Sequence, residues 1–163
     1  MPVALYRIDD RLIHGQVVVG WGQPLDLGFI VLVDDVVAES EWEQELYRMG
    51  VPPGMDVYFA STSEAAAGLQ KYADDRRTGM VLTGTVETML DLARTSAVKI
   101  TAVNVGGIHH REDRTQRLRY VFLNRAEEES LRALGALGIA VTARDVPSAT
   151  SHPLSDMLKE CAR

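Results

Sequence analysis

Short apolar runs alternate along this chain with segments whose apolar residues recur at helical spacing. The runs Val3–Ile8, Phe29–Val33, Met55–Ala60, Gly79–Thr83, Ile100–Val105, Arg119–Leu123 and Ile139–Ala143 have the length of strands. Several are nearly continuous, such as Phe-Ile-Val-Leu-Val at 29–33. A strand apolar on both faces suits a parallel sheet covered from both sides better than a half-exposed one. Between the runs lie helix signals. Ser61 with Glu64 three residues on forms a capping box that opens a helix to about Tyr72. Asn124 with Glu127 opens another to about Leu137, where Gly138 stops it. Glu41–Met49 and Val86–Arg94 are amphipathic, and Pro153–Cys161 reads as a last helix with proline in its first turn.

This order predicts an α/β fold: an open, mostly parallel sheet with helices on both faces. Only the stretch from Val105 to Arg119 has no helical pattern to bridge its strands. Those strands are expected to pair antiparallel, as an edge extension near the C-terminal third. The chain has no internal repeat, low-complexity segment or linker, so residues 1–163 read as a single domain. Ligands of such sheets bind beyond the carboxyl ends of the strands. That rule gathers four segments on one rim: Asp9–His14, Asp34-Asp35, Thr83-Gly84-Thr85, and Gly106-Gly107 with His109-His110.

Composition then narrows the class. Hydrophobic residues make up 46% and charged residues 25%, as in soluble globular proteins. No apolar run has the length of a membrane span, and no secretory signal is expected at the N-terminus. The lone cysteine, Cys161, fits a reducing, cytoplasmic setting. A net charge of −6 argues against a nucleic-acid partner, because such binding draws its affinity from clustered Lys and Arg. Arg111, Arg114, Arg117, Arg119 and Arg125 are the densest positive stretch. They form either a solvated loop and strand edge or a docking surface for an acidic or phosphate-bearing protein.

The stretch Asp9-Asp10-Arg11-Leu12-Ile13-His14-Gly15-Gln16 carries the richest chemistry. Helical spacing over Gln16–Trp21 puts His14 at or just before a helix N-terminus, where unpaired N–H groups favour an anion. Arg11 can add a forked, permanently charged donor, and Gly15 can let the backbone approach closely. An imidazole becomes a good nucleophile once a carboxylate holds its tautomer, a role open to Asp9 or Asp10. Spacing alone leaves two readings: a phosphate-carrying His14, or a histidine that caps the helix while Asp and Arg pair with each other.

Arg7-Ile-Asp-Asp-Arg-Leu-Ile-His-Gly-Gln-Val17, with Trp21 after it, resembles the signature of the IIB components of the mannose/fructose/sorbose family. These are proteins of the bacterial phosphoenolpyruvate-dependent sugar phosphotransferase system. Asn104-Val-Gly-Gly-Ile108 and Arg114-Thr-Gln116 resemble that family's second signature, and the likeness covers essentially the whole chain. The resemblance implies an open, mostly parallel α/β sheet with the active loop at the strand carboxyl ends. It implies that His14 takes a phosphoryl group on its δ1 nitrogen from a phosphohistidine of a IIA partner. His14 then passes the group to a sugar bound mainly by membrane IIC/IID components. Arg11 would contact the phosphoryl group, the amides of Gly15 and Gln16 would help to balance its charge, and no metal or other cofactor is needed. The chain would work in the cytoplasm against the membrane permease, and a homodimer is compatible with its apolar helix faces. A regulatory module using the same His14 without sugar transport is the alternative, and a non-catalytic anion-binding domain a third reading.

Other signals are weaker. Ile108-His-His-Arg-Glu-Asp-Arg114 is more charged and richer in histidine than the family pattern. His109 and His110 could join His14 or Asp113 as metal ligands, but adjacent histidines point apart in extended chain, which favours a variant docking loop. Thr83 and Gly84 could offer a hydroxyl or amide to the phosphoryl group, unless Thr85 simply caps the next helix. Asp34-Asp35 resembles the acidic pair of response-regulator receivers, yet it follows the second strand rather than the first. It either borders the site or caps a helix. Trp21 and Trp42 read as core or interface residues.

Overall fold

The computed structural model describes residues 3–158. Strand β1 (Val3–Ile8) leads through a loop into a π-helical turn, Gln16–Trp21, that runs straight into α1 (Gly22–Leu25). β2 (Phe29–Val33), α2 (Glu41–Met49), β3 (Asp56–Ala60), α3 (Thr62–Ala73), β4 (Gly79–Thr83), α4 (Val86–Thr95) and β5 (Ala102–Val105) then alternate. Last come β6 (Thr115–Leu118), β7 (Val121–Leu123), α5 (Arg125–Ala136), β8 (Ala140–Ala143), β9 (His152–Pro153) and α6 (Leu154–Leu158).

Seven strands form the main sheet in the order β3-β2-β4-β1-β5-β8-β9, parallel except for β9. Alternation divides the core. Phe29, Val31, Val33 and Val81 join the cluster under α3, α4 and α5, while Ile30, Leu32, Met80 and Leu82 pack with Val17, Val18 and Trp21 on the other face. The predicted α/β architecture with helices on both faces is therefore present, and the strands differ from expectation by one or two residues at their ends. Both capping boxes form: Ser61 Oγ accepts from the Glu64 amide at 3.1 Å, and Asn124 Oδ1 from the Glu127 amide at 2.8 Å.

The antiparallel pairing differs from the expected one. Residues 105–119 do not return a strand to the edge of the main sheet. Thr115–Leu118 folds back on Val121–Leu123 as a separate two-stranded sheet. The antiparallel edge of the main sheet is β9, whose Pro153 faces Thr142. A short edge strand with proline offers little backbone to a foreign strand, which blunts the edge. Pro153 thus ends a strand instead of opening the last helix, which begins at Leu154; residues 159–161 of the expected helix lie outside the described part.

Gly79 opens β4 beneath the Phe29 ring, where a Cβ would collide with the ring carbons. Phe29 is wholly buried between Tyr58 and Tyr72 and has nowhere to retreat. Gly79→Ala is expected to cost about 1–3 kcal/mol through overpacking, measured by urea unfolding. A neutral outcome would mean that the Phe29 pocket is plastic.

Candidate active site

β1 ends at the middle of the sheet, and its two neighbours take hold of the loop that follows. The Asp9 amide donates to the Thr83 carbonyl and the Asp10 amide to the Gly107 carbonyl, both at 2.9 Å. The Leu12 amide then turns back to the Asp9 carbonyl at 3.0 Å, and Leu12 adopts a left-handed backbone with φ 60°. For an L-residue that conformation costs on the order of 1–2 kcal/mol. Burial sustains it: Leu12 packs onto Gly84, where a Cβ would stand 2.9 Å from Leu12 Cδ2. The turn sinks Ile13 into the core and leaves the His14 side chain at the rim, 15% exposed.

The two nitrogens of His14 meet different partners. Nε2 lies 3.1 Å from Asp9 Oδ1. That nitrogen makes no hydrogen bond of good geometry, so the contact is a close approach of the ring edge to the carboxylate. Nδ1 accepts from the Gln16 backbone amide at 3.3 Å. A ring nitrogen that accepts an N–H carries a lone pair, which assigns the proton of the neutral ring to Nε2, facing the carboxylate. Asp9 is fully buried and also receives the Arg11 amide at 3.2 Å and the Gly107 amide at 3.4 Å. Burial opposes its charge, but contact with His14 and Arg7 outweighs this and holds the carboxyl below the ordinary range.

Arg7 underlies this arrangement. It is wholly buried and donates to Asp9 Oδ2 at 3.1 Å, to the carbonyls of Arg144 (3.0 Å) and Asp145 (3.1 Å), and to Asn104 Oδ1. Its guanidinium stands 5.1 Å from the centre of the Trp21 ring, and the Trp21 Nε1–H donates to the Asp145 carbonyl at 2.9 Å. A Cβ on Gly106 would strike that guanidinium, so a bare backbone is required there. Sequence reasoning gave Arg7 no role. The available signal was a cation inside an apolar run expected to form a covered strand, which demands a buried partner.

The remaining predicted residues divide. The Arg11 guanidinium is exposed and donates to Gln16 Oε1 at 2.8 Å, beside His14. Gly15 has ordinary helical backbone and nothing within 4 Å of where its Cβ would be, so it leaves open space rather than meeting a backbone demand. Asp10 turns away from His14: Oδ2 accepts the His109 amide at 2.8 Å, and Oδ1 lies 2.5 Å from His109 Nδ1. Of the two carboxylates, only Asp9 faces the imidazole. The Thr83 hydroxyl is buried and donates to the Thr85 carbonyl at 3.0 Å, so Thr83 secures the loop through its backbone; Gly84 makes room for Leu12. Thr85 caps α4, and Asp34 and Asp35 accept turn and helix amides.

The arginine cluster is partly spent inside the fold. Arg114 pairs with Glu127 at 2.6 Å and Arg117 with Glu128 at 2.5 Å, both largely buried, while Arg111 and Arg125 remain exposed. His109 is held by Asp10, whereas the His110 ring meets Phe122 edge-on, 5.5 Å between centres. Among the described residues no three His, Cys, Asp or Glu converge as metal ligands. Trp42 is 73% exposed on α2, with Leu46 and Met49, and does not join the core.

The family model described as "PTS system sorbose subfamily IIB component" matches residues 3–163. The sorbose-specific EIIB component of Klebsiella pneumoniae is 32% identical over 162 residues, covering 99% of this chain and 98% of that protein. The mannose-specific EIIAB component of Escherichia coli K12 is also 32% identical over 162 residues, but the chain spans only 49% of its length. The crystal structure of the IIBSor domain of the Klebsiella pneumoniae sorbose permease superposes with a TM-score of 0.88 at 33% identity, over 99% of both chains. The chain therefore belongs to the sorbose-subfamily IIB components, which are sugar phosphotransferase components of the phosphotransferase system.

Proposed function

We propose that His14 is the relay point of this component. Its Nδ1 accepts a phosphoryl group from a phosphohistidine of a IIA partner and passes it to a sugar held mainly by IIC/IID membrane components. The observation that carries this reading is the ring's setting, with Nε2 against a buried carboxylate and the Nδ1 lone pair under the Gln16 amide. In the first step the donor's P–N bond breaks as the P–Nδ1 bond forms. The ring gains positive charge as Nδ1 bonds, and the ionised Asp9 beside Nε2–H balances it. Phosphoryl transfer of this kind asks the protein chiefly for positioning and charge balance. Arg11, exposed and tied only to the Gln16 side chain, supplies the cation; the Gln16 amide and the open space at Gly15 receive the phosphoryl oxygens. The name EIIAB of the longer relative supports a IIA partner. We place the chain at the cytoplasmic face of a permease, as one domain; no described helix is long and apolar enough to cross a membrane.

The test is incubation with phosphoenolpyruvate, the general phosphotransferase proteins and a IIA partner, followed by assay for acid-labile, alkali-stable phosphate. Wild type should label and His14→Ala should not; equal labelling, or none in either, overturns the reading. Arg11→Ala is expected to slow transfer by roughly 10- to 100-fold while changing stability by about 0.5 kcal/mol or less. Stopped-flow transfer and urea unfolding on the same preparations separate the two effects.

A further inference from the structure

On the sheet face that packs against the Gln16–Leu25 helix, side-chain cover stops at β1. The core cluster on that side contains no residue of β5 or β8. Alternation explains the gap: Val103, Val105, Val141 and Ala143 all point to the opposite face, leaving the small Ala102 and Thr142 here, with Ala102 exposed. Over them lies a cavity of about 520 Å³, walled by Leu5, Trp21, Lys99 and Arg144. That volume is in the range of small-molecule sites, a few hundred Å³ with mostly apolar walls and a few convergent polar groups.

The charged groups are of one sign. In a chain of net charge −6, the described lining holds two cations, Lys99 and Arg144, and no carboxylate. Arg144 Nε is buried and has no hydrogen-bond partner, although a guanidinium has only donors to offer. Asn104 spends its acceptor oxygen on Arg7, so its amide N–H groups are what it has left to offer. Mostly apolar walls with two cations and no carboxylate fit an amphiphilic anion.

We propose that this cavity binds a small organic anion, with a carboxylate or phosphate-monoester head on Arg144 and an apolar body over Leu5 and Ala102. The site is separate from His14, and the proposal does not depend on the relay chemistry. It is tested on the unphosphorylated full chain, isotope-labelled, titrated with hexyl phosphate, hexanoate, hexanol and inorganic phosphate at fixed pH and ionic strength. Saturable shifts of the Leu5 and Ala102 amides and the Trp21 indole N–H are expected with hexyl phosphate or hexanoate, and whichever head binds identifies the class. Binding should weaken about tenfold or more in Arg144→Gln, and should vanish in Ala102→Phe, which fills the floor and keeps Arg144. Both substitutions lie on partly open positions outside the core, and thermal melts verify that each variant folds. The proposal is overturned if neither amphiphile saturates at about 10 mM, if hexanol or inorganic phosphate binds as well, or if Arg144→Gln binds like wild type. Because His14 labelling is a separate assay, failure here and failure of the relay are distinguishable.

Discussion

Arg7→Met is expected to lower stability by about 3–5 kcal/mol, which for a chain of this size moves the midpoint by roughly 10 °C. Methionine nearly fills the space, so little of the loss comes from a cavity. The loss comes from what Arg7 leaves behind: the buried Asp9 carboxylate, the Asn104 oxygen and the carbonyls of Arg144 and Asp145, each deprived of a donor. A buried ion pair contributes little net stability compared with well-packed apolar residues, but half of one is strongly unfavourable. The double variant Arg7→Met/Asp9→Leu should therefore lose less than the sum of its single variants. Urea unfolding of the three proteins checks this; additive costs would show that Arg7 and Asp9 are not a coupled pair. Arg7→Lys should fall between, because an ammonium is a compact charge and cannot span acceptors spread around a guanidinium.

Asp9→Asn should slow phosphorylation of His14 on the order of 10²–10³-fold while leaving the fold in place. The substitution keeps the shape and removes the charge that faces Nε2–H at 3.1 Å. Nothing then balances the ring as Nδ1 gains its bond, and the amide N–H₂ of asparagine competes for the orientation. Single-turnover transfer from a phosphorylated IIA protein is the measurement, and a loss below about threefold would remove Asp9 from the chemistry. The same residue predicts a pH signature. Its carboxyl is held below the ordinary range in the fold, so the stability it contributes is complete above the unfolded value of about 4. That contribution is lost only as pH falls through the lowered folded value. Asp9→Asn should be less stable than wild type at neutral pH, and the gap should close only in stronger acid.

Local rules made much of this molecule readable. Ser61 with Glu64 and Asn124 with Glu127 are contacts between near neighbours, so spacing alone determines them. Phe29–Val33 could be assigned to a doubly covered strand because every residue in it is apolar. The region around His14 was readable as a place, at the carboxyl end of the first strand, and its resemblance to a family supplied a role. What could not be read was who stands opposite whom. Asp9 and Asp10 are adjacent and identical, and only the Gly107 and His109 backbones decide that one faces the imidazole and the other a second histidine. Arg114 and Arg117 looked like a charged surface because Glu127 and Glu128 are eleven to thirteen residues away and come alongside only through the β6–β7 hairpin. The edge strand at His152–Pro153 is two residues long, too short to leave a pattern.

Strand order has a consequence for how this protein comes into being. Among the described elements β1 is made first, yet its neighbours in the sheet are Gly79–Thr83 and Ala102–Val105. Until synthesis has passed β5, Arg7 and Asp9 lack one of the two strands that bury them and remain in water. Closing β1 between two later strands is a non-local step of the kind that slows folding, and it must also strip water from both charges. Folding intermediates that pair β2 with β3 and β4 can form earlier, with an unfilled edge where β1 belongs. A nascent chain halted before β5 would then expose an apolar strand edge, the kind of surface that chaperones hold and that aggregates recruit.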